Sequence, residues 1–233
     1  MNAGAQHFMT INGVATHAAS KKSNSLYINR SFHLGVLVAP DVSTVGGAAA
    51  DKLSSNWGFS IGYQLTDRLS LNTGVIFSTK YYNIFSDNFH LPPGSRFPGY
   101  DLEFVKGNCN MIEIPLALRY DFSSLGKTNF FVSGGLSSYM MQHENYQYYY
   151  HSYNGGSQLY RHDSSYDTHS NYWMSVISLS IGVEQKLSRS LSLQAEPFVK
   201  IPVTGIGFGN IQLNSYGILF SLRFSPELSK KRR

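Results

Sequence analysis

Groups able to do chemistry crowd into one stretch of this sequence. Between residues 143 and 169 stand His143, Glu144, His151, His162, Asp163, Asp167 and His169, interleaved with Tyr146, Tyr148, Tyr149, Tyr150, Tyr153, Tyr160 and Tyr166. A histidine beside a hydroxyl and an acid moves protons, but such a set is recognised by geometry and not by spacing. The spacing matches no metal motif with a stated mechanism. Tyrosine gives broad contact area at low entropic cost, so Tyr146, Tyr148, Tyr149, Tyr150 and Tyr153 form the candidate binding surface, the plainer alternative being strands that run past a membrane. No catalytic residue, metal or cofactor is expected here.

A second set is electrostatic. Glu113, Asp121, Glu184 and Glu196 are matched by Arg119, Lys186, Lys200 and Arg223. Charges enclosed in a narrow interior are tolerated when they pair with one another, which predicts an interior charge network. Glu196 and Lys200 stand four apart on one strand face and are assigned to it together. The single cysteine, Cys109, excludes an intrachain disulfide and multi-cysteine metal motifs.

The elements that must position these groups have a period of two. Trp57, Phe59, Ile61, Tyr63 and Leu65 alternate with Gly58, Ser60, Gly62 and Gln64, the signature of a strand. The pattern recurs over residues 69–78, 112–121, 130–140, 177–187, 191–201 and 215–224. A shorter strand around residues 31–39 brings the count to eight. Turns near residues 66, 123 and 188 are short, and connections over about 40–54, 81–108 and 142–171 are long, with an intermediate one at 203–210. They alternate strictly, so an up-and-down meander puts every long loop at one end and both termini at the other.

Composition sets the wet face. The chain has 233 residues, 14% aromatic and only 14% charged, against about 25% charged in an ordinary soluble domain. No apolar run approaches the roughly 20 residues of a spanning helix. Net charge is +5, but Lys230, Lys231, Arg232 and Arg233 supply four of those charges at the tail, which argues against a nucleic-acid face. An eight-stranded barrel has a lumen just wide enough to be filled by side chains. The large apolar residues share one face, while Gly, Ser and the balanced charges share the other. That division fits a membrane barrel, apolar outside and polar inside, better than a lipocalin-like carrier. Trp57, Tyr63, Tyr120, Phe122, Phe130, Trp173, Tyr216 and Phe224 fall near strand ends as an aromatic girdle.

The fold class predicted is therefore all-β, a closed up-and-down antiparallel transmembrane barrel. Residues 1–30 are expected to be a flexible periplasmic segment, 31–224 the barrel, and 225–233 a basic periplasmic tail. Residues 1–30 lack the apolar core of a secretory signal, and removal of an upstream leader is expected.

The run from Leu191 to Phe224 resembles the end of PorT-like outer-membrane barrels, with related OmpA-like eight-stranded architecture. It carries Ala195, Glu196, Pro197, Phe198, Lys200, Ile201 and Pro202, then Gly205 to Asn210. Ile112 to Leu116 and Gly182, Val183 and Glu184 match as well. The resemblance implies a location in the outer membrane of a Gram-negative bacterium, contact with outer-membrane lipid, and insertion by the barrel-assembly machinery through a last strand ending at Phe224. Its relatives include secretion-linked members, so periplasmic or secretion-system proteins are expected partners. The function predicted is structural, binding or assembly-related, through the long extracellular loops; the alternative is a rim enzyme acting on lipid or peptide.

Overall fold

A computed structural model describes residues 32–88, 101–151, 158–207 and 209–226. The expected flanking segments 1–30 and 225–233 lie outside these, apart from Ser225 and Pro226. Among the described residues eleven strands form one antiparallel sheet: β1 (Phe32–Val38), β2 (Asp41–Val45), β3 (Ala48–Ala49), β4 (Ser55–Gln64), β5 (Leu69–Phe85), β6 (Asp101–Leu125), β7 (Thr128–His151), β8 (Leu159–Tyr166), β9 (Asn171–Lys186), β10 (Leu191–Pro202) and β11 (Asn214–Phe224). Eight of them close a ring in the order β1, β4, β5, β6, β7, β9, β10, β11, and β11 pairs back to β1 with Leu34 opposite Phe224 and Val38 opposite Phe220. The all-β barrel expected from the alternation is the fold observed.

The short turns are built locally. In the β4–β5 turn the Thr66 hydroxyl accepts from the Arg68 and Leu69 amides, and in the β9–β10 turn the Ser188 hydroxyl does the same for Ser190 and Leu191. These are side-chain mimics of a backbone turn. The β6–β7 turn uses Gly126 at φ +62°, a conformation costly for other residues.

The apolar face points outward on every strand of the ring. Trp57, Phe59 and Ile61 on β4, Leu116 and Leu118 on β6, Leu179 and Ile181 on β9, and Phe220 and Leu222 on β11 are all exposed. A soluble carrier needs the opposite arrangement and is excluded. On β6 this outward band runs from Ile112 to Phe122, 11 residues, which matches the 9–11 of a tilted spanning strand. Outer-membrane barrels place short turns in the periplasm and long connections outside, which orients the chain.

The expected loops over 81–108 and 142–171 need correction. β5 continues to Phe85, β6 begins at Asp101, β7 runs to His151, and β8 adds a strand along β7 from Glu144 to His151. Above the lipid-facing band the outward residues turn polar, so strict apolar alternation disappears although the strand period does not. β5, β6, β7 and β8 thus form a raised sheet beyond the membrane.

The raised half has a core of its own. Tyr82, Ile84, Val105, Cys109, Met111, Tyr139, Met141, Tyr146, Tyr148 and Val176 pack inward, joined by Val45 from β2 and by Ile206, Ile211 and Leu213 from the β10–β11 connection. That connection is pinned by an Ile206–Ile211 bridge. Tyr82 lies so close over Gly107 that a Cβ there would sit 2.1 Å from its ring. Sheet and cap together close the outer end of the lumen.

Candidate functional site

Below that core the lumen is polar. Lys200 Nζ donates to both carboxylate oxygens of Glu113 at 2.7 and 2.6 Å, and the Ser137 hydroxyl donates to Oε1 at 2.7 Å. Arg119 pairs with Glu184 and with Asp121 at 2.6 Å, and donates to the Gln194 carbonyl oxygen at 3.0 Å. Arg223 reaches Glu184 at 2.8 Å. The Arg119 guanidinium lies 3.7 Å from the centroid of the Phe131 ring, a cation–π contact. Free lumen volume among these residues is about 130 Å³, room for a handful of waters at about 30 Å³ each.

Two members of the predicted network are placed otherwise. Lys186 is exposed, beside the periplasmic mouth, because the strand ends there. Glu196 does not pair with Lys200: it accepts from Ser180 and from Gln194. Four residues along one strand span about 13 Å, out of reach, whereas Glu113 lies across the lumen. The sequence reading also missed Lys80 and Asp41, a fully buried ion pair. Both fall in or beside segments read as loops.

The predicted girdle residues Trp57, Tyr120, Phe122, Trp173, Tyr216 and Phe224 are exposed on the outer face, with Tyr63 and Phe130 half-buried. Trp57 stacks on Phe77 with centroids 4.7 Å apart.

The predicted tyrosine surface divides by parity. Tyr146 and Tyr148 are 0% exposed and belong to the core, which corrects their assignment as a binding surface. Tyr149 and Tyr150 are half-buried, and Tyr153 lies outside the described residues. What does face outward on the raised sheet is a ladder of polar and aromatic rows. Going up, Thr79, Asn110 and His143 are neighbours, then Tyr81, Asn108, Asn145 and Ser165, then Asn83, Lys106, Gln147 and Asp163, then Phe85, Phe104, Tyr149 and Arg161.

The two middle rows, with Tyr149 above them, floor a groove of about 580 Å³. One wall is Asp51 and Lys52, folded over from the β3–β4 segment. Lys106 Nζ contacts Asp51 at 2.5 Å, Asn83 donates to Asp51 at 3.0 Å, and Lys52 stands 5.7 Å over the Tyr81 ring. Hydrogen bonding from Lys106 holds the Asp51 carboxyl below its usual range. Phe104 and Tyr149 stack at 4.4 Å, and Arg161 grips Asp163 at 2.7 and 2.5 Å, holding that carboxyl low as well. The Lys106–Asp51 and Arg161–Asp163 pairs are each compensated, and the groove adds the Lys52 ammonium to its amide and aromatic chemistry.

Of the acids and histidines singled out in the sequence, the structure brings two together and adds a serine. Register sets Glu144 opposite Tyr166 and Asn145 opposite Ser165, so His143 meets Asp167 directly and Ser165 on the diagonal. His143 Nδ1 lies 2.6 Å from Asp167 Oδ1, and Nε2 lies 3.0 Å from Ser165 Oγ. Asn145 Oδ1 is 3.1 Å from Nε2 and 2.8 Å from Ser165 Oγ. The Asp167 hydrogen bond raises the His143 pKa. Glu144 points into the core, accepting from Tyr146 and Thr168, Asp163 is taken by Arg161, and His169 is exposed beyond β8. No group of three or more metal-ligating side chains occurs among the described residues.

A family model described as an outer membrane protein beta-barrel domain matches residues 18–198. The chain belongs to that family. Its place is the bacterial outer membrane, in keeping with the apolar belt. Solved structures to which the chain is similar include Neisserial surface protein A, 13% identical, covering 83% of this chain and 96% of that one at a TM-score of 0.46. The attachment invasion locus protein Ail of Yersinia pestis is 8% identical, covering 84% and 99% at 0.40. The outer membrane protease OmpT of Escherichia coli is 9% identical, covering 88% and 99% at 0.37. No curated protein matches the chain at a significant level.

Proposed function

We propose that this outer-membrane barrel is a non-conducting stand that works by binding at its raised extracellular sheet, a role that needs no turnover. The observation carrying this reading is the packed core inside the sheet, from Tyr82 to Leu213. Such a core stiffens a surface before any ligand arrives, and preorganisation lowers the cost of binding. Below it, the paired charges and the small lumen volume leave no conduit. Within the family, the C-terminal elements around Glu196 to Asn210 support a PorT-like affiliation. On that affiliation, secretion-system or other periplasmic proteins and the barrel-assembly machinery are partners at the opposite end, with lipid around the belt.

The test is made on the full chain in lipid bilayers. Planar-bilayer recording should show no steady conductance, and hydrogen exchange should protect the amides of residues 81–85, 104–108 and 145–149 as strongly as those of the spanning strands. Steady channel currents, or fast exchange in the raised strands, would refute the stand.

A further inference from the structure

We propose that Ser165, His143 and Asp167 form a serine-hydrolase site for the acyl esters of membrane lipids, an activity that goes beyond the binding role and does not rest on it. A carboxylate can only accept, so the neutral His143 ring donates from Nδ1 to Asp167 and presents a bare Nε2 to the Ser165 hydroxyl. Nucleophile, base and orienting acid therefore stand in the order and on the ring nitrogens that acyl transfer requires. Asn145 completes the set. Its amide oxygen and nitrogen exchange by a flip, and the flipped Nδ2 donates to the Ser165 oxygen, which leaves the hydroxyl proton to point at His143 Nε2.

Position selects the substrate. Asn110, the β6 partner of His143, is one outward pleat above the lipid-facing Ile112, a rise of about 7 Å along the strand. Trp57 and Phe77 stand in the same row as Ile112 and mark the interface there. Ester linkages of bilayer lipids lie in that interfacial layer, between the hydrocarbon and the head groups. The groove of about 580 Å³ begins at Asn145 and Ser165 and rises away from the membrane, so a polar head group enters it while the acyl chain stays against the belt.

In the reaction, Ser165 Oγ bonds to the ester carbonyl carbon as His143 Nε2 takes the hydroxyl proton. Collapse breaks the bond to the alcohol oxygen, which leaves with that proton, and an acyl-Ser165 remains. Water, giving its proton to Nε2, attacks the acyl carbon; the acid departs and Ser165 recovers its proton. Asp167 is a positioning residue that holds the ring in the right tautomer.

The experiment uses the full chain in detergent micelles and in phosphatidylethanolamine vesicles, with folding checked by heat-modifiable migration. A fluorophosphonate probe should label the native protein, and Ser165→Ala should abolish labelling. Fatty-acid release from the vesicles should fall by about 100-fold or more in Ser165→Ala and His143→Ala, in line with loss of a nucleophile or general base. Asp167→Asn should lower kcat far more than it alters KM. Absence of labelling in the native protein, or labelling that survives Ser165→Ala in the folded variant, overturns the site. Hydrolysis of soluble p-nitrophenyl acetate without release from the vesicles overturns the lipid assignment. The conductance and exchange measurements judge the stand separately.

Discussion

Consider Lys200→Met. In the native lumen the Lys200 ammonium sits 2.6 and 2.7 Å from the two oxygens of Glu113, whose side chain has 0% exposure. Methionine keeps most of the volume and removes the charge, so Glu113 keeps the Ser137 hydroxyl at 2.7 Å but loses the ammonium that neutralises it. Breaking a buried pair on one side costs about 3–5 kcal/mol, a fall of roughly 10² to 10⁴ in the folding equilibrium at 1.4 kcal/mol per decade. Adding Glu113→Gln removes the stranded charge, and the double variant should recover much of the loss. The assay is urea unfolding from lipid bicelles, followed by tryptophan fluorescence and gel migration. The coupling between the two sites should reach about 1–3 kcal/mol, whereas Glu196→Gln with Lys200→Met should add to within about 0.5 kcal/mol. Additivity in the first cycle and coupling in the second would refute the cross-lumen pairing.

Other outcomes follow from the same geometry. Leu179→Arg places a charge on the lipid face, where Leu179 is 52% exposed, and should cost about 2–4 kcal/mol near the bilayer midplane; unchanged unfolding in bicelles would contradict the orientation. A Cβ at Gly182 would stand 2.2 Å from the Phe131 ring, so Gly182→Val should destabilise by about 1–3 kcal/mol and perturb the Arg119 contact, read as a lower unfolding midpoint. His143 has its pKa raised by Asp167, and its β5 and β6 neighbours Thr79 and Asn110 carry no charge. The ion pair is therefore full below the unfolded-state pKa of about 6.5 and is lost as pH rises through the higher folded value. Imidazole NMR should show a His143 midpoint above that of the unfolded chain, and Asp167→Asn should lower it.

The spanning half was legible because lipid and lumen impose opposite demands on alternate residues. Trp57 to Leu65 and Ile177 to Leu187 announce both the strand and its faces. The raised half was opaque for the same reason in reverse. Once Tyr81, Asn83, Lys106 and Asn108 meet water, inward Tyr82 and outward Tyr81 look alike in sequence, and a run such as Tyr146 to Tyr150 reads as a loop. Pairing was the second gap. Asp41 and Lys80 are 39 residues apart, and Glu113 and Lys200 are 87 apart; register across the barrel, not local spacing, joins them. His143 and Asp167 stood out by type, but Ser165 is one serine among many until β8 lies against β7.

The pleat of the raised sheet also bears on how this surface can change. Residues 82, 84, 105, 107, 109, 146 and 148 face the core, and their immediate neighbours along the chain face outward. Substitutions at Tyr81, Asn83, Lys106, Asn108, Asn145 or Gln147 can therefore change the chemistry of the groove while every residue of the core beneath it stays as it is. Diversification is confined to alternate letters of the sequence, so a new surface carries little stability cost.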